Sequence, residues 1–288
     1  MSEPLIDNRS RRASIATETL SILSAGGYQA PSGRHVDLAD AIVTCVEGAR
    51  FYDPDTLTQL CHSVEARTAP YTEMHCTVTA ETTLAAAQRL LGRHSRVAAL
   101  NFASAKHPGG GFLGGSQAQE ESLARASALY PSLTRFQAPF YDFHQRKTLL
   151  YSDRAIVSPD CPVFRDDNDH LLETPYAVTF ITAAAPNAGA IAQHEAESLS
   201  AVPTALAGRA AKVLALAADA DIPALVLGAW GCGVFRNDPL LVANVFRQLL
   251  APGAPYHGRF AKVCFAIHDR SKERTVFRAF EETLTSRP

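Results

Sequence analysis

Residues 97–129 read VAALNFASAKHPGGGFLGGSQAQEESLARASAL, and three different patterns follow one another within them. The run from Val97 to Ala103 is short and apolar, which predicts a buried strand. A glycine-rich loop extends from His107 to Ser116, and a helix is predicted from Gln119 to Leu129. A strand that leads through a loop into a helix is the building unit of an α/β sheet.

The same alternation of apolar strands and helices continues on both sides of this stretch. Further strands are predicted at 177–182, 224–227 and 262–268, and further helices at 81–91, 207–220, 239–250 and 271–284. We therefore expect an α/β fold, with helices on both faces of the sheet. Ligands of such sheets bind beyond the strand ends. Two glycine-rich loops, 107–116 and 228–237, directly follow predicted strands, so both fall where a site is expected.

The first quarter of the chain is less regular. Residues 1–10 are interpreted as a disordered lead-in, and a helix is predicted over 12–23. A strand-like piece near 35–38 and a weaker helix near 54–61 follow. We expect two parts, an N-terminal helical extension over residues 1–75 that packs on a catalytic core over residues 76–288.

The amino-acid composition limits the classes of function that we expect for this chain. A hydrophobic content of 47% over 288 residues is sufficient for a large core. The 27 basic and 29 acidic side chains give a net charge of −2, which argues against direct DNA or RNA binding through a basic face. The polar N-terminus predicts no signal peptide, and no apolar run approaches the roughly 20 residues of a membrane span.

The cysteine pattern gives no indication of a metal site. The six cysteines are Cys45, Cys61, Cys76, Cys161, Cys232 and Cys264. They form no C-x-x-C pair and no Cys/His cluster at zinc spacing, so no metal is expected. We interpret them as reduced, mostly buried thiols of a cytoplasmic protein.

Three consecutive glycines, Gly109, Gly110 and Gly111, stand in the first loop. Glycine permits backbone angles that other residues resist, and it lets a ligand approach the chain closely. Consecutive amides of such a loop can point at one anion or one sugar. On the glycines alone, an ordinary tight loop between strand and helix is an equal alternative.

Two adjacent acids, Glu120 and Glu121, begin the helix that follows. Neighbouring residues on a helix point about 100° apart, so one carboxyl group can face a scissile bond while the other holds a neighbouring hydroxyl. A favourable interaction with the helix dipole explains one of the acids equally well. Asn101, at the end of the preceding strand, either holds a ribose hydroxyl or ties the loop down.

The second loop, Gly228 to Asn237, connects a buried strand to a helix. Glycines at 231 and 233 would let backbone amides approach a pyrophosphate, although a packing role is an equal alternative. Phe235 can stack on an adenine or belong to the core. Cys232 is not interpreted as a nucleophile, because no cysteine-enzyme signature accompanies it.

The triple glycine followed by Gln119, Glu120 and Glu121 resembles the signature of poly(ADP-ribose) glycohydrolases, and the surrounding sequence is similar to the compact microbial-type members. The resemblance implies a macrodomain-like core, a mixed sheet sandwiched by helices, with an N-terminal helical extension. It implies that Glu121 is the catalytic acid, and that Gln119 and Glu120 hold the ribose. The remaining implied roles are a diphosphate cradle from Gly109, Gly110, Gly111, Gly231, Cys232, Gly233 and Val234, and adenine stacking by Phe235.

The resemblance also implies a reaction without a metal or a cofactor. The substrates would be poly(ADP-ribose), ADP-ribose and ADP-ribosylated proteins, in a monomeric enzyme of the DNA damage response. One carboxyl group, that of Glu121, would serve as acid and then as base on an oxocarbenium-like path. The alternatives are a macrodomain-type reader that only binds ADP-ribose and a mono-ADP-ribosyl hydrolase. A nicotinamide-dependent oxidoreductase is disfavoured, because the sequence lacks a G-x-G-x-x-G that opens a helix and is followed by an acid roughly 20 residues further on.

Overall fold

A seven-stranded mixed sheet forms the centre of the computed structural model, which describes residues 8–145 and 147–285. In chain order the strands are β1 (Gly27–Gln29), β2 (His35–Asp37), β3 (Arg50–Tyr52), β4 (His75–Thr79), β5 (Val97–Phe102), β6 (Ala155–Arg165), β7 (Leu171–Ala183), β8 (Ala224–Leu227) and β9 (Lys262–Ala266). Strands β1 and β2 form a separate antiparallel hairpin. The sheet order is β3-β6-β7-β5-β8-β9-β4, parallel from β7 to β4 and antiparallel between β3, β6 and β7.

Helices cover both faces of this sheet. They are α1 (Asn8–Ala25), α2 (Ala39–Gly48), α3 (Pro54–Ala66), α4 (Thr83–Leu91), α5 (Gln119–Ala126), α6 (Leu129–Thr134), α7 (Phe143–Gln145), α8 (Ala188–His194), α9 (Val202–Asp219), α10 (Pro239–Leu250) and α11 (Thr275–Thr285). A π-helical turn, Gln137–Asp142, leads into α7, and 3₁₀ turns lie at Phe112–Gly114 and Ala196–Ala201.

Alternate residues of β5 show how the two layers share the core. Ala98 and Leu100 pack with α3, α9, α10 and α11, whereas Val97 and Ala99 pack with α4, α5 and α6. Successive side chains of a strand point to opposite faces, so a strand covered on both sides is apolar throughout. The predicted α/β fold, a mixed sheet sandwiched by helices, is confirmed.

The helix predicted from Gln119 to Leu129 is divided in the structure. Helix α5 ends at Ala126, and Ser127 adopts extended backbone angles before α6 begins. Ser127 forms an isolated antiparallel bridge with Val163, and its hydroxyl donates to Leu123 O at 2.7 Å. Pairing with a distant strand therefore interrupts a segment whose local pattern is helical.

The hairpin of β6 and β7 is larger than the sequence pattern indicates. Strand β6 was not predicted, because Pro159, Asp160 and Pro162 interrupt its apolar pattern. The register shifts between Ser158 and Cys161, where Asp160 has a φ of 43°. The predicted strand 177–182 covers only the inner half of β7, since the outer half is less buried and its apolar pattern is interrupted by Glu173, Thr174 and Pro175.

The N-terminal part of the chain contributes to the sheet as well as to its surface. Helix α1 begins at Asn8, so the predicted lead-in is helical from that residue, and residues 1–7 lie outside the described part. Strand β3 pairs with β6 at the sheet edge. The division at residue 75 into an extension and a core stays a prediction.

One helical stretch, Ala196–Asp219, is long and apolar enough to cross a membrane by length and composition alone. It comprises a 3₁₀ turn and α9. More than half of its most apolar window is buried, and Leu206, Val213 and Leu214 of α9 belong to the core cluster. Packing against the sheet and α3 therefore accounts for its apolar character.

Candidate active site

Both glycine-rich loops leave the same edge of the sheet. The first follows β5 and the second follows β8, and these strands are parallel neighbours. Their carboxyl ends therefore lie side by side, at the position where ligands of α/β sheets bind. The topology brings together two loops that are more than 100 residues apart in the chain.

The first loop is wrapped around the Glu121 carboxylate. Gly111 N–H donates to Glu121 Oε1 at 3.0 Å. Gly110 has a φ of 61°, and a Cβ atom there would lie 2.4 Å from the same oxygen. Only glycine allows this backbone angle and this approach together. The glycines thus serve the carboxylate directly, which goes beyond an ordinary tight loop.

The amides of the triple glycine are engaged within the protein. Gly111 N–H binds Glu121, Gly110 N–H donates to His107 O at 3.0 Å, and Gly109 N–H interacts with Glu120. A donor that already has a partner is not free for a ligand. In this structure these amides position the two carboxyl groups, and their predicted contact with a diphosphate stays a prediction.

Glu120 is the more deeply buried acid, with 2% of its surface exposed. Its Oε2 accepts Ser104 N–H at 2.6 Å and its Oε1 accepts Asn101 Nδ2–H at 3.2 Å. Burial raises its pKa to about 8, and the neighbouring Glu121 charge adds to the rise, although both hydrogen bonds oppose it. Glu120 is therefore mostly protonated at neutral pH.

Glu121 has a different environment, with 9% of its surface exposed. Whereas Oε1 is fixed by Gly111, Oε2 accepts no hydrogen bond from the described residues. The two adjacent acids thus differ in burial and in hydrogen bonding, as expected for neighbouring positions on a helix.

Gln119 connects the start of α5 to β5 by both ends of its amide. Its Oε1 accepts Phe102 N–H at 2.8 Å, and its Nε2 donates to Leu100 O at 2.8 Å. The Gln119 side-chain amide thus pairs with the backbone of β5 by one donor and one acceptor, as the backbone of a neighbouring strand would. The amide of Gln119 therefore fixes the position of the acids, and its predicted ribose contact stays a prediction.

Asn101 has the structural role that was one of its two alternatives, and its contact with a ribose hydroxyl stays a prediction. Its Nδ2 donates to Glu120 and to Thr182 Oγ1 at 3.1 Å, which ties the end of β5 to α5 and β7. Its Oδ1 is buried without a hydrogen-bond partner among the described residues. A buried acceptor of this kind is usually satisfied by water or a ligand.

The second loop presents free amides to the outside. Gly233 has open space around it and Val234 is 80% exposed. The N–H groups of Gly231, Gly233, Val234 and Phe235 donate to no group within the described residues. Consecutive free amides of this kind suit an anion such as a diphosphate.

Asn237 and Trp230 hold this loop in place. Asn237 Nδ2 donates to Pro186 O at 3.0 Å, and a Cβ atom at Gly231 would lie 2.3 Å from the same nitrogen. Gly231 has a φ of 72°, so it permits both the turn and the close approach. Trp230 is fully buried and donates from Nε1 to Ala183 O at 3.1 Å.

Phe235 is half-buried at the end of this loop, with its ring centroid 6.0 Å from that of Tyr151. It packs on the edge of the core, which leaves part of the ring accessible. Burial raises the pKa of the Cys232 thiol to about 12. Since the thiolate is the reactive form, Cys232 is a poor nucleophile, in agreement with the sequence interpretation.

Several residues of the site were missed by sequence reasoning, among them Ser104, Asn237, Tyr151 and Thr182. The partners of Asn237 and Thr182 lie 51 and 81 residues away, so no local spacing connects them. Tyr151 has a φ of 58°, a strained angle that a sequence does not reveal. Among residues 8–145 and 147–285, no group of three or more His, Cys, Asp or Glu side chains is arranged to hold a metal.

The fold and the site together define an α/β protein that presents two unequal carboxyl groups and a loop of free amides at one sheet edge. The family described as microbial-type PARG, catalytic domain, matches residues 16–166. The chain belongs to this family, the microbial-type poly(ADP-ribose) glycohydrolases. No curated protein matches the chain at the significance level applied.

Solved structures of bacterial family members are similar over most of the chain. The poly(ADP-ribose) glycohydrolase from Thermomonospora curvata is 50% identical, with a TM-score of 0.91 over 96% of this chain and 100% of that one. The same enzyme bound to the inhibitor ADP-HPD is 50% identical, with a TM-score of 0.88 over 95% and 99%. The Deinococcus radiodurans enzyme in complex with ADP-ribose is 48% identical, with a TM-score of 0.80 over 85% and 97%.

Proposed function

We propose that this chain hydrolyses the ribose–ribose O-glycosidic bonds of poly(ADP-ribose) and releases ADP-ribose, with Glu121 as the general acid and base. One observation carries the proposal. The Glu121 carboxyl group is fixed by Gly111 through one oxygen, while its other oxygen has no partner among the described residues. A carboxyl group held in this way is ready to exchange a proton with a bound sugar.

In the proposed mechanism, Glu121 in its acid form donates a proton to the departing ribose oxygen as the glycosidic bond breaks. The cleaved ribose passes through an oxocarbenium-like state. The Glu121 carboxylate then takes a proton from the water that attacks the anomeric carbon, which restores the acid. The substrate diphosphate stabilises the positive charge of the transition state, so the substrate itself supplies part of the electrostatics.

Glu120 has a supporting role in this mechanism. Because its raised pKa keeps it mostly protonated at neutral pH, it places no second full charge beside the Glu121 carboxylate that forms when the bond breaks. A protonated carboxyl group can also donate a hydrogen bond to a ribose hydroxyl. Asn101 Oδ1, which is buried and has no partner among the described residues, provides an acceptor at the same place.

The second loop supplies the proposed grip on the rest of the ADP-ribose unit. Its free amides at Gly231, Gly233 and Val234 receive the diphosphate, as do backbone amides in other nucleotide loops. The accessible part of the Phe235 ring stacks on adenine, and the tilted ring of Tyr151 packs against Phe235. Cys232 contributes its backbone position in the loop.

We also propose the setting of the activity: a monomeric, cytoplasmic enzyme that removes polymer from ADP-ribosylated proteins in the DNA damage response. One chain provides both loops and both carboxyl groups, which supports a monomer. All six cysteines are free, which supports a reducing compartment. The sheet with helices on both faces supports a macrodomain-like core over residues 76–288. Sedimentation at assay concentrations and digestion of polymer-modified protein test the monomer and the protein substrate.

The test of the activity compares wild type with Glu121→Gln on labelled polymer. We expect the variant to lose about 10²- to 10⁴-fold in turnover, because the proton donor is absent, while ADP-ribose still binds in calorimetry. Glu281→Gln, on an exposed face of α11, is the matched control and retains wild-type turnover. Turnover of Glu121→Gln near that of wild type would remove Glu121 from the mechanism. Binding of polymer without cleavage by wild type would favour the reader.

A further inference from the structure

Helix α1 lies directly on the first loop and binds its carbonyl groups with two arginines. Arg9 Nε donates to Gly114 O at 2.9 Å, and Arg12 Nε donates to Gly115 O at 2.7 Å. Residues three apart lie on the same face of a helix, so the two guanidinium groups act side by side. The loop is thereby held by α1 as well as by α5.

The backbone contact between α1 and the loop is as close as the side-chain contact. Gly115 has a φ of 73°, and a Cβ atom there would lie 2.0 Å from Arg9 O. Two turns further along α1, Ala16 is fully buried in a small apolar cluster with Phe112 and Ala124. Phe112 belongs to the loop and Ala124 to α5, so α1 seals the junction of the two.

A short series of hydrogen bonds connects this contact to the catalytic acid. Gly114 N–H and Ser116 N–H both donate to Gly111 O at 3.1 Å. Gly111 N–H in turn donates to Glu121 Oε1. The position of the peptide that holds Glu121 therefore depends on the position of residues 114–116, which α1 fixes.

Helix α1 is also attached to the helix that carries Glu121. Thr19 Oγ1 donates to Arg125 O at 2.7 Å, at the end of α5. Arg125 donates to Ser116 O at 3.0 Å, which closes the connection between α5 and the loop. Helix α1 thus contacts both the first loop and the end of α5, the helix that carries Glu121.

We propose that α1 sets the geometry of the catalytic acid, with Arg12 as the principal positioning residue. This inference rests on the proposed function. Among the described residues, Arg12 forms no hydrogen bond or ion pair with Glu121 or with the second loop, so its loss is expected to change the orientation of the acid and to leave the binding of the nucleotide intact. The expected effect is on kcat, with KM and ADP-ribose affinity largely preserved.

The test uses the full chain and the variant Arg12→Ala. We expect kcat on polymer to fall about tenfold or more, because displacement of a catalytic group is costly, while the Kd of ADP-ribose stays within about twofold. Hydrogen–deuterium exchange of the peptide 109–116 is expected to accelerate. Arg12→Lys recovers most of the activity, since its ammonium group can donate to the same carbonyl oxygen.

Two controls separate positioning from general effects. Thr17→Ala changes the same helix at a side chain that bonds only within α1, and Arg247→Ala removes an equal charge that bonds only Asn244 among the described residues. Both variants are expected to retain the wild-type kcat and the wild-type rate of hydrogen–deuterium exchange in the peptide 109–116. Gly115→Ala approaches the contact from the loop side and is expected to reproduce Arg12→Ala.

The outcomes are separable from those of the proposed function. If Arg12→Ala and Gly115→Ala keep wild-type kcat, or if kcat falls without faster exchange of 109–116, the positioning role is wrong. If ADP-ribose affinity falls in proportion to kcat, α1 acts on binding and the inference is overturned. If the wild-type protein does not cleave the polymer, the proposed function is wrong. The comparison of hydrogen–deuterium exchange would still test whether the contact with α1 fixes residues 109–116.

Discussion

Glu120 and Glu121 are neighbours in the chain with separate chemical environments. Glu120 is enclosed by Ser104 and Asn101, and its pKa is raised to about 8 by burial. Glu121 keeps one carboxyl oxygen without a partner in the described residues. Two carboxyl groups with different environments can take different roles in acid–base chemistry. The two glutamates have the same side chain, so their different burial and hydrogen bonding determine which role each of them can take.

The raised pKa of Glu120 predicts how stability depends on pH. The folded protein retains a proton that the unfolded chain releases above about pH 4.5, so unfolding free energy falls as pH rises from about 4.5 to about 8. A tenfold difference in proton affinity between the folded and unfolded chain corresponds to about 1.4 kcal/mol. Glu120→Gln lacks this contribution, so the variant becomes more stable relative to wild type as pH rises.

Urea unfolding of both proteins at pH 5 and pH 8.5 measures this difference. Glu281→Gln, exposed on α11, serves as the control and should follow wild type at both pH values. A stability difference between wild type and Glu120→Gln that is the same at pH 5 and pH 8.5 would show that Glu120 titrates normally.

At the scale of elements, the two glycine-rich loops use their backbone N–H groups differently. The first loop turns its amides inward to the carboxyl groups, whereas the second has four N–H groups without a partner in the described residues. The second loop keeps this shape through Asn237, which binds Pro186 O beneath Gly231. The division explains why two glycine-rich segments are present: one positions the acids, and the other is suited to an anion.

Asn237→Ala therefore tests the second loop. The substitution leaves Pro186 O unpaired and frees Gly231 from its support, so we expect the Kd of ADP-ribose to rise about tenfold, or about 1.4 kcal/mol. The effect on kcat at saturating polymer should be smaller. Calorimetry and steady-state kinetics measure the two quantities.

Asn244→Ala is the matched control, because its amide donates to Leu240 O within α10. Its affinity for ADP-ribose should equal that of wild type. Unchanged affinity in Asn237→Ala would mean that the loop keeps its shape without this bond.

At the scale of the whole molecule, a buried ionic group joins α9 to the segment before β6. Arg209 is 2% exposed and donates to Ala184 O at 2.6 Å and to Leu150 O at 3.1 Å. Asp153 accepts from Arg209 at 3.2 Å and from Lys212 at 2.5 Å. This group fixes the end of β7, next to the second loop, so the site depends on a contact that crosses the sheet edge.

Asp153→Asn removes the counter-charge of a buried guanidinium group. We expect a loss of about 2 kcal/mol in unfolding free energy, since an unpaired buried charge is costly and Asp153 is only partly buried. Urea denaturation measures the change. Asp219→Asn breaks the exposed pair with Arg67 and should cost less than about 1 kcal/mol. Equal losses in the two variants would contradict a special role for Arg209.

The sequence by itself determined the features that depend on local pattern. Continuous apolar runs identified β5, β8 and β9, because strands buried on both faces lack polar residues. Asp238 directly precedes the predicted helix 239–250, where an aspartate favours an N-cap, and its side chain accepts Leu240 N–H at 3.0 Å. The spacing of the triple glycine and the two glutamates led to the family, since that motif is contiguous.

Only the tertiary structure decided what depends on distant partners. Strand β6 lacked an apolar pattern, and Ser127 ended α5 by pairing with Val163. The contact of α1 with the first loop was not visible in the sequence, because Arg9 and Arg12 bind backbone carbonyl groups that lie more than 100 residues away in the chain. The unequal environments of Glu120 and Glu121 also arise from burial and long-range hydrogen bonds. Local patterns encode which element forms, whereas packing decides which groups lose water and which partners they meet.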